Sequence, residues 1–478
     1  MANPFRKLPM AAAIYVTGDV LVKTANFFLL PVMTRFLTPK DYGILASVTA
    51  FVAVLSLLLQ PNVNGALMRF YPEASDDKSR QELMGTLVLF SLAWSIVVVF
   101  SLNFFGHRLL DGIFKDVRFE PYLRLATWIA FVNSLTVLPL CMLQMQQRPV
   151  LHRALSLTIF LLNTVAILVF VVGMRMGALG SVIGQLSGAL IGTIPFLLLL
   201  RKHMRVVLNL SVLKMCLLFC LPLAGYSLGG WVTDMSNRVF IERFVNLSEL
   251  GLFNVGNQFS MILGFVLGAT GLAFTPIFYE AIKSEEGPRL LARFGVMYVA
   301  IVTGIGLSIA VLSREDLQVV TQPRYHSAYR VIPLLTATQA LGAFWHLVVN
   351  PVMLKRKTLH LTALTIVSAG LSVALNLYLI PRYGIIGAAA SPLVANIFLN
   401  AAVFIFSIRL YPVPYNYRHF ALIAGFAVLI FAAAALVTTS NVFVSFGIRA
   451  VIVSTYPALL LLFGVIRISD FKQIMQNL

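Results

Sequence analysis

Apolar residues run along this chain in stretches of about twenty or more, parted by short polar interruptions. Fourteen stretches are read: 10–37, 42–70, 82–105, 121–147, 151–172, 177–200, 212–242, 251–280, 290–313, 328–354, 358–380, 385–410, 418–439 and 442–466. Each can carry a helix across roughly 30 Å of hydrocarbon. Helix is the form they must take, because lipid offers backbone N–H and C=O groups no outside partner. The strict apolar–polar alternation of an outer-membrane barrel is absent. The pattern predicts an all-α polytopic membrane protein with about fourteen transmembrane helices.

Landmarks within the pattern repeat. Arg35-Phe36 with Gly43 returns 208 residues later as Arg243-Phe244 with Gly251, and Phe70-Tyr71 returns as Phe278-Tyr279. Arg148, Leu151 and His152 match Arg356, Leu359 and His360 at the same offset, while Arg175, Gly177 and Gly180 match Arg382, Gly384 and Gly387 at 207. Near-constant spacing over four landmarks marks an internal duplication. It assigns residues 1–210 to one six-span lobe, 211–410 to a second, and 411–478 to an additional pair of spans with a cytoplasmic tail. Six is even, so both lobes enter the membrane from one side. They are expected about a pseudo-two-fold axis along the membrane normal, with the substrate route between them. The repeated residues have structural explanations. Thr38-Pro39-Lys40-Asp41 spells a capping box, and Asn246 with Glu249 supplies the equivalent cap. Gly43, Gly251, Gly177, Gly180, Gly384 and Gly387 are read as points of close helix approach.

Composition narrows the function classes. With 59% hydrophobic and 11% charged residues among 478, the chain has more apolar surface than a soluble core can hide. The net charge of +18 suggests nucleic acid until the positions are read. With a cytoplasmic N-terminus, 21 of the 36 Lys and Arg fall in inner segments and 12 in outer ones. That is the positive-inside bias, and it puts both termini in the cytoplasm. No basic cluster is interleaved with exposed aromatics as single-strand binding requires, so no nucleic-acid partner is expected. The first stretch is too long for a signal-peptide core and lacks a small-residue cleavage site, so it is read as the first span. Cys141, Cys216 and Cys220 lie in apolar stretches and indicate neither a disulfide framework nor a zinc site. No nucleotide-binding P-loop is present, and neither a cofactor nor a metal is implied. The longest outer loops, 106–120 and 314–327, are short for an enzyme's external face.

The informative residues are polar groups inside the spans, since an ionisable side chain at mid-membrane costs about 2.5–3.5 kcal/mol on insertion scales. Asp19 and Lys23 stand four residues apart on one face of the first span, and Asp234 and Arg238 repeat that step in the seventh. By the 208 offset Asp19 and Lys23 correspond to Ser227 and Trp231, so the shared architecture does not require them. Two readings stand for each pair: a neutral structural bridge, or a substrate contact facing a cavity. Arg69 reads as a snorkelling anchor or a substrate contact. Arg449 reads as an anchor or a groove-lining cation, and His346 as a satisfied interior histidine or a proton carrier. Asn64, Asn254, Asn257 and Gln258 can bind sugar hydroxyls or bond helix to helix.

The stretch from Pro31 through Thr34-Arg35-Phe36-Leu37-Thr38-Pro39-Lys40-Asp41-Tyr42-Gly43 resembles the opening of the polysaccharide-transporter family, the Wzx-type flippases of lipid-linked oligosaccharides. Asn64-Gly65 with Arg69-Phe70-Tyr71, and Arg382-Tyr383-Gly384 with Gly387, are similar to that family too, and the resemblance follows the span order of the whole chain. It implies the MATE-like fold of the superfamily shared with drug antiporters and lipid II flippases, and alternating access through a cavity rich in cations. It implies no enzyme. It implies a flippase of the bacterial inner membrane that moves a polyprenyl-pyrophosphate-linked oligosaccharide, an O-antigen or exopolysaccharide unit, to the periplasmic leaflet. Membrane lipids, a polysaccharide polymerase and glycosyltransferases are the implied partners. The candidate substrate-binding residues are Lys23, Asp19, Arg238, Asp234, Asn64, Arg69 and Asn257, and they rest on the residues rather than on a family motif. A MATE-like cation or drug antiporter is the alternative; an integral-membrane glycosyltransferase or polymerase is the alternative of another class.

Overall fold

The computed structural model describes residues 8–466 apart from Ser75, Asp111, Arg356 and Ser440. Certain helix residues within that range, Asp19, Lys23 and Asp234 among them, are described by backbone alone. In chain order the helices are α1 Leu8–Phe36, α2 Pro39–Leu59, α3 Val63–Phe70, α4 Asp77–Leu110, α5 Arg124–Met145, α6 Pro149–Leu168 and α7 Gly177–His203. They continue as α8 Leu210–Phe244, α9 Leu247–Ala281, α10 Gly287–Val320, α11 Ile332–Leu354, α12 Thr358–Leu410, α13 Tyr417–Ala435 and α14 Val442–Leu462. Among the described residues there is no strand. Among the described residues, eleven segments are long and apolar enough to cross a membrane, and one of them, within α12, is interrupted by a non-helical turn at Gly384. Helices α1 and α8, 29 and 35 residues long, lie where the first and seventh of the fourteen expected stretches fall.

The predicted caps form. Thr38 Oγ accepts the Asp41 N–H at 3.2 Å while the Asp41 carboxylate accepts the Thr38 N–H at 2.8 Å, closing both halves of the box. The other carboxylate oxygen of Asp41 takes the Ala178 N–H at 3.3 Å, so the cap of α2 also holds the start of α7. Asn246 Oδ1 accepts the Glu249 N–H at 2.8 Å.

Contacts group the chain into two compact units, Met1–Gly251 and Leu252–Leu478. Within the first, Gly43 and Gly251 are where backbones touch. A Cβ on Gly43 would stand 1.8 Å from the Leu247 carbonyl oxygen, and one on Gly251 would stand 1.9 Å from that of Pro39. The two contacts are each other shifted by 208 residues, the reciprocal pattern that two-fold related segments produce. Further along, Gly184 and Gly188 of α7 press within 2.6 and 2.5 Å of Ile167 and Asn163 Cα of α6, by the same measure. Between α7 and α8, Arg205 donates its N–H to Gln81 O at 3.1 Å, and Asn209 Nδ2 donates to Glu82 at 2.7 Å, which fastens the linker to α4.

The second unit centres on α9, α10, α11 and the end of α12, with α13 and α14 packed against it through Ile423, Ile430, Tyr456 and Leu460. A buried ion pair joins α14 to α10: Arg449 Nη1 lies 3.3 Å from the Glu315 carboxylate, whose other oxygen accepts the Ser445 hydroxyl at 2.6 Å. Arg449 also donates to the Val311 and Val437 carbonyls at 3.3 and 3.2 Å. Arg449 is thus a helix tie rather than a snorkelling anchor.

Three sequence expectations change in detail. Gly180 and Gly387 do serve close approach, but Gly177 and Gly384 are used for their φ of +58°, the left-handed region open to glycine, at the turns that start the sixth and twelfth spans. The stretch read as an outer loop from 314 is helical to Val320, which is how Glu315 comes to be buried. The second span is not one helix. Pro61 lacks an N–H and crowds the turn before it, so α2 stops at Leu59 and α3 restarts at Val63.

Gly43→Ala is expected to lower the melting temperature of the purified protein, at a cost of about 1–3 kcal/mol or more, because a fixed carbonyl cannot step aside. Gly425→Ala, where nothing lies within 4 Å, is the matched control and should not. For the ion pair, Arg449→Leu alone strands Glu315 and should cost about 3–5 kcal/mol. The double variant Glu315→Leu with Arg449→Met should recover most of that loss in the same melting experiment; no recovery would mean the pair is not the tie.

Candidate functional site

The break in the second span sets the direction of α3. Three carbonyls around the break take side-chain donors: Trp94 Nε1 donates to Leu58 O at 2.8 Å, Ser95 Oγ to Leu59 O at 3.4 Å and Cys220 Sγ to Asn62 O at 3.2 Å. Gln60 Nε2 donates to Ser134 O at 3.1 Å, and Gln60 Oε1 accepts from Ser91 Oγ at 3.5 Å. These three residues, with Val88 and leucines of α4, α5 and α7, line a cavity of about 140 Å³. Satisfying the backbone this way lets a non-helical segment persist inside a span.

Beyond the break, α3 delivers Asn64 half-buried and Arg69 exposed and paired to Glu73. It ends beside a series of polar groups where α3 and α5 finish and α4 and α6 begin. The Arg80 guanidinium of α4 stacks 5.5 Å from the Tyr71 ring centroid. The Tyr71 hydroxyl accepts from Gln146 Nε2 at 3.2 Å, and Gln144 Nε2 meets His152 Nε2 at 3.3 Å. Arg80 Nε and Gln146 Oε1 are shielded from solvent without a hydrogen-bond partner among the described residues. Just outside the span, Asp76 caps α4 by accepting the Ser79 N–H at 3.1 Å, and its hydrogen bonds to Ser79 hold its carboxyl below the ordinary range. Arg153, which follows His152 on α6, lies across α1 at Gly18 and has a further partner. The group therefore presents the Arg80 guanidinium, an aromatic hydroxyl and amides together. That set suits an anion with attached hydroxyls.

A second group of charges is internal. Glu242 of α8, 1% exposed, accepts the backbone N–H groups of Lys115, Asp116 and Val117 at 3.1, 2.5 and 3.3 Å. One carboxylate thereby fixes the loop that follows α4. Arg238 stands one turn earlier, buried and touching Met235, and is not without a further partner. Trp231 Nε1 donates to Ala50 O at 3.1 Å and ties α8 to α2.

Of the residues expected to bind substrate, Asn64 and Arg69 share α3, Arg238 lies on α8, and Asn257 is half-buried on α9 in the second unit. The side chains of Asp19, Lys23 and Asp234 lie outside the described residues. Tyr71, Arg80, Gln146 and Arg153 were missed by sequence reading because they flank span ends, where polar residues are unremarkable until packing brings them together. His346 is half-buried against Gly271, 6.3 Å from the Tyr298 ring.

Comparison with known proteins bears on the whole chain. The sequence signature of a family described as polysaccharide biosynthesis protein matches residues 32–280. A protein of the Lsg locus of Haemophilus influenzae is 23% identical over 296 residues, covering 58% of this chain and 67% of that one. The fold is similar to that of the lipid II flippase MurJ in an inward closed conformation, with a TM-score of 0.73 at 13% identity over 95% of this chain and 98% of that one. It is also similar to an inward-facing MATE family multidrug transporter of the MOP superfamily, with a TM-score of 0.64 at 13% identity over 82% and 98%. The relatives that share this fold are transporters and flippases, not enzymes.

Proposed function

The chain belongs to the polysaccharide biosynthesis protein family, and from that premise we propose that it is a flippase for a polyprenyl-pyrophosphate-linked oligosaccharide, carrying an O-antigen or exopolysaccharide unit from the cytoplasmic to the periplasmic leaflet of a bacterial inner membrane. The observation that carries the reading is a fold similar to that of a lipid II flippase along 95% of the chain. The MATE structures resemble less of it, 82% in one and 86% in another, although an antiporter remains the second reading.

The headgroup poses the physical problem. A diphosphate carries about two negative charges and cannot enter hydrocarbon unpaired. Cations in a wet passage neutralise it while the polyprenyl tail stays in lipid. Lys23 with Asp19, Arg238 with Asp234, and Arg69 are the proposed charge contacts; Asn64 and Asn257 are proposed for sugar hydroxyls. In this reading residues 1–210 and 211–410 act as the two lobes of an alternating-access cycle, and a polymerase and glycosyltransferases of the pathway are its partners. A potential negative inside favours outward movement of an anion by about 2.3 kcal/mol per charge per 100 mV, so no nucleotide is needed.

Proteoliposomes holding a fluorescent polyprenyl-diphosphate sugar test the reading: the wild-type chain should move the label between leaflets and empty liposomes should not. Lys23→Gln should slow that movement about tenfold, the worth of one charge-assisted hydrogen bond, whereas Lys23→Arg keeps much of it. If Asp19→Asn with Lys23→Gln moves lipid at the wild-type rate, Lys23 is structural.

Orientation is tested separately. Cysteines placed at 112–113, 115–116 and 323–324, which are exposed, should label from outside intact spheroplasts, and cysteines at 76–79 and at 355 or 357 only after permeabilisation. The reverse pattern would invert the proposed topology.

A further inference from the structure

The segment between α7 and α8 is a strap laid along α4. Gly85 makes room for it: a Cβ there would stand 1.7 Å from the Arg205 carbonyl oxygen. The Arg205 N–H donates to Gln81 O at 3.1 Å, and Thr86 Oγ1 donates to Val207 O at 3.2 Å while accepting the Asn209 N–H at 3.1 Å. Asn209 Nδ2 donates to Glu82 at 2.7 Å, and its Oδ1 caps α8 by accepting the Ser211 and Val212 N–H groups at 3.0 and 3.2 Å. With these backbone groups bonded to α4, the side chains of Arg205, Val206, Val207 and Leu208 are left exposed.

The exposed surface continues onto both flanking helices. Ile194, Leu198 and Arg201 share one face at the end of α7, and Leu210, Lys214 and Leu218 share one at the start of α8. Arg201, Lys202, Arg205 and Lys214 are all exposed, and none of their side chains takes an ion pair or hydrogen bond among the described residues. The acid bonded to the strap, Glu82, is already held by Asn209. Cations therefore stand among apolar side chains that are turned away from the protein.

The duplication supplies an internal comparison. At the 207 offset Asn209 returns as Asn416, which caps α13 by accepting the Arg418 N–H at 3.2 Å, and Val206 returns as Val413. The two connections are used differently, for Val206 is 77% exposed and Val413 only 5%. Arg201, Arg205 and Lys214 become Ile408, Pro412 and Ala421, Lys202 alone keeps a cation as Arg409, and Gly85 becomes Arg293 at 208. Joining two helices this way thus requires neither the exposed apolar residues nor the cluster of cations.

We propose that the strap and the adjoining ends of α7 and α8 form a docking site for an anionic phospholipid of the leaflet they face. Arg201, Lys202, Arg205 and Lys214 hold the headgroup phosphate, and the acyl chains lie against the exposed leucines and valines; the inference is independent of what the chain transports. Clustered cations prefer an anionic headgroup to a zwitterionic one, and apolar side chains between them suit a lipid rather than a soluble anion. Long basic stems can lie on apolar surface while their charges stay at headgroup level. Because the strap backbone is fixed to α4, the site is organised before lipid arrives, which lowers the ordering cost of binding.

The competing account is that these cations only set orientation during insertion. Fluorescent phosphatidylglycerol and phosphatidylcholine with the same acyl chains, titrated into the full chain in detergent micelles, separate the two by anisotropy. The wild-type chain should bind the anionic lipid about tenfold or more tightly than the zwitterionic one, at roughly fivefold per well-placed cation. Raising sodium chloride from about 0.1 to 1 M should remove most of that preference, because exposed charges are screened. The fourfold variant Arg201→Gln, Lys202→Gln, Arg205→Gln and Lys214→Gln should lose the preference and keep its phosphatidylcholine binding. Glutamine at Arg289, Arg293, Lys355 and Lys357, exposed residues of the second unit, removes equal charge and should leave the preference intact. A wild-type chain that binds the two lipids equally overturns the proposal, as does a control variant that loses as much as the strap variant. Displacement of phosphatidylglycerol by inorganic phosphate at matched ionic strength overturns the lipid as occupant. Should the fourfold variant fail to fold, Arg201→Gln with Lys202→Gln and Arg205→Gln with Lys214→Gln are measured separately, and wild-type preference in both overturns the site.

Discussion

Hydrocarbon contains no water to take a hydrogen bond, and the rest of this structure follows from that. A peptide group facing lipid must be paired within the protein, so the spans are helices and their ends are closed by side chains. Thr38 and Asp41 close α2, Asn246 closes α9, and Asn441 closes α14 by accepting the Phe443 N–H at 3.0 Å. Where the second span breaks at Pro61, Trp94, Ser95 and Cys220 replace the lost helical bonds. The break is tolerated because α4 and α8 pass close enough to supply donors.

In lipid, water does not drive helices together, so adhesion depends on how closely backbones approach. This explains why glycines repeat in the sequence. Gly43 and Gly251 bring the starts of α2 and α9 into backbone contact, and Gly184 and Gly188 do the same for α6 and α7. Near-contact at these points leaves no room for even one methyl group. The other repeated glycines, Gly177 and Gly384, meet a different need, a left-handed turn between consecutive spans.

The polar residues fall into two kinds. Glu242 and the Glu315–Arg449 pair are buried and hold elements together, one by gathering three backbone N–H groups and the other by crossing from α10 to α14. The group of Tyr71, Arg80 and Gln146 is only partly sheltered, and Arg80 Nε and Gln146 Oε1 have no hydrogen-bond partner among the described residues. A structural tie is complete without a ligand, whereas a binding surface is complete only with one. The polar groups where α3 and α5 end and α4 begins are therefore the more informative set for function.

Span number, the caps and the repeated glycines were legible in the sequence because each depends on a few neighbouring residues: twenty apolar positions, a Thr-Pro-Lys-Asp run, a fixed offset. Asn64 and Arg69 were visible as polar residues in a span, but the break at Pro61 that aims them depends on donors 36 or more residues away, in α4 and α8. Glu315 read as a loop residue until Ser445 and Arg449, more than 120 residues later, packed against it. Arg153 read as one more positive charge at a span end, and only its passage across Gly18 distinguishes it. Periodicity and caps are local properties of a helix and can be read from the chain. Which polar group is neutralised, and which is left able to bind, depends on contacts between distant helices, and only tertiary structure decides it.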